Sequence, residues 1–590
     1  MSIRKQSWGK NELAVPDDKA DAQSVAASEE PEMDFRRKIK YGSRIQAAWA
    51  VLCEFFSESS VHGVRYFSDS KRHWTERIWW VFAFAVSLYL CGFLIHNVWI
   101  KWHESPVIVS FAEKSTPISM IPFPAVTICP ETKTYMDKLN ITDAFHTLLA
   151  NNKDNMTEEE LYRSKAVFQL CEAHLAENFV LGQNFSTNEI YETIKDVAPN
   201  FNDTMFYCKW RNNFISCENS FQPVLTEEGV CYTFNSLNSR DIYTDEMADE
   251  MKIVTGNPST THWSLEDGYI DIEGNYSNTY PYRVFGAGAR VGLYTLLRLY
   301  KQNLEYLCRG PVQGFKILLH TPGEVPQVSK HYFRVPLVQE VLVSVKPQMI
   351  TTSEGLRDYT PNGRQCYFNK ERQLRFFKVY TQRNCELECL SNFTKLECGC
   401  VKFSMPRDRD TSICGFDKIK CFNDAEDKLL ERQFEDGLKN ERNAATGCNC
   451  LPACTSITYD AEISQAKFDW VGLFQAFNSS LDEFPGAELA RLSIFFKEHQ
   501  FITSKRSELY GLTDFMANCG GLLGLFMGVS MLSIVEVIYY FTLRLGCTLR
   551  LRRTRKRKSL RAQGKKNTIA PVESNIPNIM IVTAADEKKE

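Results

Sequence analysis

The residues best suited to chemistry in this 590-residue chain lie in one apolar stretch near its C-terminus, Asn518 to Ser530. Its glycines at positions 520, 524 and 528 are four apart and share one stripe of a helix, where bare backbone can closely approach another helix or an ion. One interpretation is a packing face between membrane helices. The other is a pore wall, in which backbone groups and the Ser530 hydroxyl face a file of ions.

Cysteines form the second notable set. Sixteen of the 20 cysteines lie between residues 102 and 510, and ten of these fall within the 89 residues from Cys366 to Cys454. Cys385 and Cys389 are four apart and therefore share one helical face. The Cys398-Gly-Cys400 and Cys448-Asn-Cys450 steps also permit a zinc cluster, but an even number of cysteines in an oxidising compartment favours disulfides.

Two apolar runs are long enough to cross a bilayer, and the second of them contains Asn518 to Ser530. Ile78 to Ile100 is 23 residues without a charged side chain, sufficient for a hydrocarbon core of roughly 30 Å. The second run extends from Phe515 to Val535 and continues past Glu536 to Leu543. The sequence therefore predicts two membrane spans.

Basic residues predict the orientation of these spans. Arg36, Arg37, Lys38, Lys40 and Arg44 precede the first span, and eleven Lys or Arg residues follow the second, between Arg544 and Lys566. The positive-inside rule then places both termini in the cytoplasm and the central segment outside. Glycosylation sequons support this topology, since all seven lie in the central segment: Asn140, Asn155, Asn184, Asn202, Asn275, Asn392 and Asn478.

The predicted organisation is an α+β membrane protein with five regions. These are a cytoplasmic N-terminal region (1–77), a first span (78–100), an extracellular cysteine-rich domain (101–510), a second span (511–543) and a basic cytoplasmic tail (544–590). Strand-like runs within the central domain are separated by helical inserts, which predicts a sheet assembled from distant segments: Phe123–Cys129, Val230–Phe234, Val312–His320, Glu340–Val345 and Thr455–Tyr459.

The order of these motifs resembles the degenerin and epithelial sodium channel family. The resemblance rests on His62-Gly63, Phe123-Pro-Ala-Val-Thr-Ile-Cys129, Gly229-Val-Cys-Tyr-Thr-Phe-Asn235, the cysteine series, and Gly520 to Ser530. The amino-acid sequence from Glu58 to Phe67 is similar to that of the insect pickpocket branch of this family. The resemblance implies a trimer of identical or related subunits in the plasma membrane, with a β-sheet palm and a helical finger and thumb.

The same resemblance assigns residues to the pore. Gly528, Val529 and Ser530 fall on the Gly-x-Ser selectivity filter, with sodium as the permeant ion, and Gly524 falls on the position associated with block by amiloride. Ala517 falls on a gating position, beside Asn518, where many relatives carry Asp, and Gly520 and Gly521 belong to the same pore segment. Glu536 is expected to face the conduction path, with a salt bridge or interfacial position as the alternative. His62 and Gly63 are expected to fold back beneath the filter.

The resemblance also implies seven disulfides, and the two remaining cysteines of the central segment are expected to pair: Cys129–Cys231, Cys208–Cys217, Cys366–Cys454, Cys385–Cys450, Cys389–Cys448, Cys398–Cys421, Cys400–Cys414 and Cys171–Cys308. One position departs from the acid-sensing relatives, because Gly363 stands where they carry a Trp that couples the thumb to the first span. The acidic run from Asp245 to Glu250 is expected to be a solvated face rather than a proton sensor.

These features predict a voltage-independent, amiloride-sensitive sodium channel subunit gated by an extracellular chemical or mechanical stimulus. Its expected partners are related subunits, the bilayer and an unidentified extracellular ligand. No catalytic constellation, metal site or cofactor is expected. The basic run Arg552–Lys558 is expected to contact anionic lipid rather than nucleic acid. The alternatives are an ATP-gated type of trimeric channel, or a two-span receptor or ectonucleotidase that conducts no ions.

Overall fold

The computed structural model of the chain describes residues 44–68, 72–104, 107–150, 155–176, 189–251, 261, 263–270, 279–438, 448–478 and 484–566. The predictions for Arg36 to Lys40 and for the sequons at Asn184 and Asn275 lie outside these residues. The chain divides into two compact units. The smaller unit comprises residues 1–100 and 512–590, and the larger one comprises residues 101–511.

The smaller unit is helical. Its helices are Arg44–Glu58, Val64–Ser68, Trp74–Glu104, whose last four residues belong to the larger unit, Leu512–Met527, Met531–Tyr539 and Leu545–Lys566, with a π-helical segment at Tyr540–Arg544. Two stretches are long and apolar enough to cross a membrane, Trp74–His103 and Met531–Arg555. The first contains the predicted span. The second apolar run instead forms the helices Leu512–Met527 and Met531–Tyr539, and the latter continues through the π-helical segment Tyr540–Arg544 into Leu545–Lys566.

The larger unit is built on two principal sheets, which confirms the mixed α/β prediction. The eight-stranded sheet has the order Val107–Phe111, Ser504–Glu508, Gln339–Thr352, Ala487–Phe496, Leu293–Tyr300, Met205–Trp210 and Asn213–Ile215, with Ser456–Lys467 also paired to Gln339–Thr352. The five-stranded sheet has the order Phe333–Pro336, Gly314–His320, Ala125–Pro130, Gly229–Phe234 and Phe221–Thr226. Two-stranded ribbons pair Gln500–Phe501 with Thr116–Pro117, and Trp263–Ser264 with Gly268–Tyr269.

One apolar core joins these sheets. Val126 and Ile317 of the five-stranded sheet and Val343 and Ile494 of the eight-stranded sheet are fully buried in it. Gln339–Thr352 runs parallel to Ala487–Phe496, with Val343 opposite Ile494, and antiparallel to Ser456–Lys467. The sheet is thus assembled from segments far apart in the chain, because only their combined apolar faces exclude water from the core.

Helices lie around the sheets. They are Ile141–Leu149, Glu158–Val167, Ala173–Ala176, Glu189–Val197, Phe201–Thr204, Cys217–Ser220, Ser239–Ile242, Pro361–Arg364, Gln382–Cys398, Ile419–Leu438 and Trp470–Ala476. Gln382–Cys398 begins where Thr381 Oγ1 accepts from the Asn384 N–H, and it ends at Gly399 with φ +76°. These are usual start and stop signals for a helix.

Eight disulfides brace the larger unit at the pairs expected from the sequence. Cys385–Cys450 and Cys389–Cys448 bridge successive turns of Gln382–Cys398 to one short non-helical segment, and Cys398–Cys421 joins that helix to Ile419–Leu438. None of the sixteen cysteines is left as a thiolate ligand for zinc.

Candidate functional site: an interrupted membrane helix

The second apolar run is interrupted at Gly528, Val529 and Ser530. The helix Leu512–Met527 ends there, and the helix Met531–Tyr539 begins directly after Ser530. Gly528 has φ +64°, in the left-handed region that glycine adopts without a steric penalty. The predicted filter residues are therefore the non-helical connection between two half-helices.

Hydrogen bonds from other segments satisfy the end of the first half-helix. The carbonyl oxygen of Met527 accepts from the His62 N–H at 2.9 Å, and that of Phe526 accepts from Ser87 Oγ at 2.7 Å. The Val529 N–H turns back to the Leu523 carbonyl at 3.3 Å. Because the last carbonyls of a helix have no partner within it, these contacts stabilise the break.

A capping box opens the second half-helix. Ser530 Oγ accepts from the Ser533 N–H at 3.3 Å, and Ser533 Oγ accepts from the Ser530 N–H at 3.1 Å. The capping reduces the conformational entropy of Ser530, a predicted filter residue, because both its backbone N–H and its hydroxyl have fixed partners. Ser530 thus has a structural function in the helix start besides its predicted function in the filter.

The N-terminal segment folds back against this connection. Gly63 has φ +88° and turns the chain directly after His62. A Cβ atom on Gly63 would lie 3.4 Å from the Phe84 ring, so the conformation rather than crowding requires glycine here. His62 and Gly63 are thereby brought next to Gly528.

Glu536 is bound by the same N-terminal segment. Its Oε2 accepts from Ser60 Oγ at 2.7 Å and from the Ser60 N–H at 3.4 Å. Ser60 Oγ also lies 2.8 Å from Ser533 Oγ. One hydroxyl thus connects the Glu536 carboxylate of the second half-helix, Met531–Tyr539, to the cap of the predicted filter residue.

A further set of contacts lies one helical turn after Glu536 in the chain. The Tyr540 hydroxyl donates to Glu58 at 2.5 Å, and Arg544 forms an ion pair with Glu54. The Phe55 ring packs edge-on against Tyr540, with their centroids 5.5 Å apart. The helix Arg44–Glu58 therefore docks on the π-helical segment Tyr540–Arg544.

The structure does not bring the other predicted pore residues into this network. Ala517 and Asn518 are exposed on Leu512–Met527. Cβ atoms added to Gly520 or Gly521 would meet nothing within 4 Å, and one on Gly524 would lie 3.8 Å from the Val529 carbonyl oxygen. Within the described part of this chain, these glycines therefore support no close helix packing, and their faces are open to other molecules.

The predicted glycosylation sequons and the acidic run from Asp245 to Glu250 both lie in the larger unit. Asn155, Asn202, Asn392 and Asn478 are exposed, whereas Asn140 caps the helix Ile141–Leu149 through the Asp143 N–H. The acidic run is ion-paired: Glu246 contacts Arg375 at 2.7 Å, and Glu250 contacts Arg407 at 3.1 Å.

Sequence reasoning missed Ser60, Ser87 and Ser533. Ser533 follows Ser530 by three residues, the spacing of a capping box, so a search for helix starts inside the apolar run could have found it. Ser60 and Ser87 have no local signal, because their partners are distant in sequence.

Comparison with known proteins agrees with these features. A family model described as amiloride-sensitive sodium channel matches residues 55–540. Pickpocket protein 28 of Drosophila melanogaster is 29% identical over 525 residues, which cover 86% of this chain and 80% of that protein. Sodium channel protein Nach of the same species is 24% identical over 517 residues, covering 84% of this chain and 87% of that protein.

Similarity extends beyond insects. Acid-sensing ion channel 2 of Rattus norvegicus is 24% identical over 506 residues, which cover 82% of this chain and 85% of that protein. The family match covers the first candidate membrane segment, the disulfide-bonded unit and the interrupted apolar run as far as Tyr540. The prediction of the degenerin family and its pickpocket branch is confirmed. The chain belongs to the amiloride-sensitive sodium channel family, whose members are ion channels and not enzymes.

Proposed function

We propose that the chain is a subunit of a trimeric, voltage-independent and amiloride-sensitive sodium channel of the plasma membrane. Both termini lie in the cytoplasm, and residues 101–510 respond outside to a chemical or mechanical stimulus. The family match supports the sodium channel, and the two apolar stretches support a two-pass topology. Two spans cannot enclose a pore, so the conduction path requires further subunits, identical or related.

The observation that carries the proposal is the interruption of the second apolar run at Gly528 to Ser530. Non-helical backbone at membrane depth is tolerated only where protein covers it or where it lines water. His62 and Ser87 cover one side of the break through Met527 and Phe526. The other side is available to hydrated ions, and backbone carbonyls can replace part of the hydration shell of a small hard cation such as sodium.

The outer half-helix supplies the gate and the blocker site in this proposal. Ala517, Asn518, Gly520 and Gly521 present an exposed face that meets the equivalent face of neighbouring subunits. Bulk at Ala517 prevents closure and raises the resting current. Gly524, one turn above the filter, receives amiloride.

The inner half-helix continues the path below the filter. Glu536 is the only formal charge between Phe515 and Leu543, and a carboxylate at that depth requires water or a partner. Ser60 supplies one partner, and the remaining carboxylate surface attracts cations leaving the filter. His62 and Gly63 fix the filter from beneath, so movement of the N-terminal segment changes the pore.

Expression in oocytes, alone and with related subunits, tests the proposal. An amiloride-sensitive sodium current is expected, and Ser530→Ala is expected to change the permeability ratios among lithium, sodium and potassium. Thr548→Ala is the matched control, since its hydroxyl donates only to its own helix at Arg544. A surface-expressed chain that is silent in every combination would exclude the channel function, and unchanged ratios in Ser530→Ala would place the filter elsewhere.

A further inference from the structure

The helix Gln382–Cys398 of the larger unit contains a buried hydroxyl that the folded structure does not use. Thr394 is 0% exposed, and its Oγ1 has no hydrogen-bond partner among the described residues. A buried hydroxyl without a partner destabilises a fold, and valine has nearly the same shape without the polar atom. Packing of this helix therefore gives no reason for threonine at position 394.

The reason lies in the sequence around it. Thr394 is the third residue of the sequon Asn392-Phe-Thr394, and the hydroxyl at that position is required for N-glycosylation. The transfer occurs on the chain as it is synthesised, before folding buries the hydroxyl. Asn392 is exposed in the folded chain, as a glycosylated residue must be.

This sequon differs in that respect from the other threonine sequons that the structure describes. The sequons of Asn140, Asn155 and Asn202 end in threonines whose hydroxyls donate hydrogen bonds at 3.0 Å to Glu305, Glu160 and the Asn200 carbonyl, respectively. Those hydroxyls also serve the fold. For Thr394, glycosylation of Asn392 is the use that remains.

An exposed apolar side chain lies next to this attachment point. Leu396 is 84% exposed, and it follows Asn392 by four residues, so both lie on one face of the helix. The neighbouring side chains turn to either side of this face, because Lys395 pairs with Asp408 at 3.6 Å and Glu397 pairs with Lys428 at 3.4 Å. Asn392 and Leu396 therefore form an outward ridge.

We propose that Asn392 carries an N-linked oligosaccharide whose first sugar covers Leu396. The donor is a lipid-diphosphate-linked oligosaccharide. The Asn392 amide nitrogen loses a proton and bonds to the anomeric carbon of the sugar, and the lipid diphosphate leaves. The apolar C–H face of the attached sugar then packs on the leucine and shields it from water and from other chains. This modification rests on the extracellular position of residues 101–510 in the proposed function.

Peptide mass spectrometry of the full-length chain made in insect cells tests the attachment. Enzymatic release of oligosaccharides in heavy-oxygen water should label Asn392 in the wild type and in Thr394→Ser, but not in Thr394→Val. An unlabelled Asn392 in a chain labelled at other sequons would overturn this proposal and leave the topology intact. A chain labelled at no sequon would overturn both.

Stability measurements test the function of the hydroxyl. Asn392→Gln and the double variant Asn392→Gln with Thr394→Val both lack the oligosaccharide at this position, so they differ only in the buried group. The double variant should have an equal or higher thermal midpoint, because valine removes the unpartnered hydroxyl. A lower midpoint would show that the hydroxyl stabilises the fold and would overturn its assignment to glycosylation.

Hydroxyl-radical footprinting tests the shielding. Oxidation of Leu396 should increase severalfold from the wild type to Asn392→Gln, because the variant exposes the leucine to solvent. Ile502, which is 61% exposed and lies far in the sequence from Asn392, is the matched control and should be oxidised equally in both proteins. Equal oxidation of Leu396 in both would overturn the shielding. None of these measurements requires a current, so their failure is separate from failure of the channel function.

Discussion

His62 leaves no room for a side chain at Gly528, since a Cβ atom built on that glycine would lie 1.8 Å from Nδ1 of His62. The left-handed φ of +64° at Gly528 independently disfavours any other residue. The glycine of the proposed filter is therefore required by both its own backbone and a residue of the N-terminal segment. This contact links the two motifs physically within one chain.

Gly528→Ala is expected to abolish or strongly reduce the sodium current while the protein still reaches the surface. The added methyl group must displace the imidazole of His62 or the turn itself, and either movement disturbs the bond from the His62 N–H to Met527. Whole-cell current normalised to surface biotinylation measures the effect.

Gly546→Ala is the matched control, because a Cβ atom there would meet nothing within 4 Å in the described part of the chain. It should retain the wild-type current. Normal current and selectivity in Gly528→Ala would show that His62 does not lie against the filter in the working channel.

Ser60→Ala is expected to change ion selectivity. The substitution removes the hydroxyl that binds both Glu536 and Ser533, and Ser533 caps Ser530. Losing one such hydrogen bond, worth about 1 kcal/mol, is expected to change the sodium-to-potassium permeability ratio about two- to tenfold. Reversal potentials under bi-ionic conditions measure it.

Ser60→Thr keeps the hydroxyl and should preserve the ratio. Ser57→Ala is a second control in the same segment, because Ser57 Oγ donates only to the nearby Glu54 carbonyl. If Ser60→Ala and Ser57→Ala behave alike, the link from Ser60 to the inner half-helix has no influence on permeation.

Local patterns predicted much of this structure. Uncharged length predicted a first span, and this run lies within the helix Trp74–Glu104, a candidate span. The strand-like runs at Phe123–Cys129 and Val230–Phe234 lie on paired strands. The cysteine pairs depended on family resemblance, since spacing alone permits many connectivities. Contacts between distant segments had no such signal. Ser60 and Glu536 are 476 residues apart, and the free energy of their contact depends on the complete fold around them.

Mild acid is expected not to open the channel. The acidic run is paired to arginines, and Arg375 also contacts Asp408 at 3.0 Å. A hydrogen bond from Thr411, with lesser attraction from Lys395 and Arg375, lowers the pKa of Asp408 below its usual 3.8. A lowered folded-state pKa means that the stabilising interaction is complete above pH 3.8 and is lost only in stronger acid.

Buried His320 also remains neutral in this range, because burial lowers its pKa to about 3. A step from pH 7.4 to pH 5.0 should therefore evoke no current in oocytes that show an amiloride-sensitive resting current. A rapid inward current at pH 5.0 that disappears when Glu246 is replaced by Gln would assign proton sensing to the acidic run.

Glu228→Gln is expected to lower the free energy of unfolding of the larger unit by about 3 kcal/mol or more. The substitution leaves the buried ammonium groups of Lys133 and Lys316 without their closest carboxylate, and breaking a buried ion pair from one side is strongly destabilising. Thermal unfolding of the purified chain, followed by intrinsic fluorescence at pH 7, measures the effect.

The pH dependence provides a sharper criterion than the size of this loss. Burial by itself raises the pKa of Glu228, but attraction to Lys133, Arg309 and Lys316 outweighs it and lowers the pKa to about 2. The carboxylate therefore stabilises the fold fully above its unfolded-state pKa near 4.5, and this contribution falls as the pH decreases towards 2. Glu228→Gln should flatten the stability curve in that window.

Glu462→Gln is the matched control, because Glu462 also contacts two lysines, Lys346 and Lys497, but on the surface. Water screens those charges, so the thermal midpoint at pH 7 should remain close to that of the wild type. If the two substitutions lower the midpoint equally, the network around Glu228 is accessible to water.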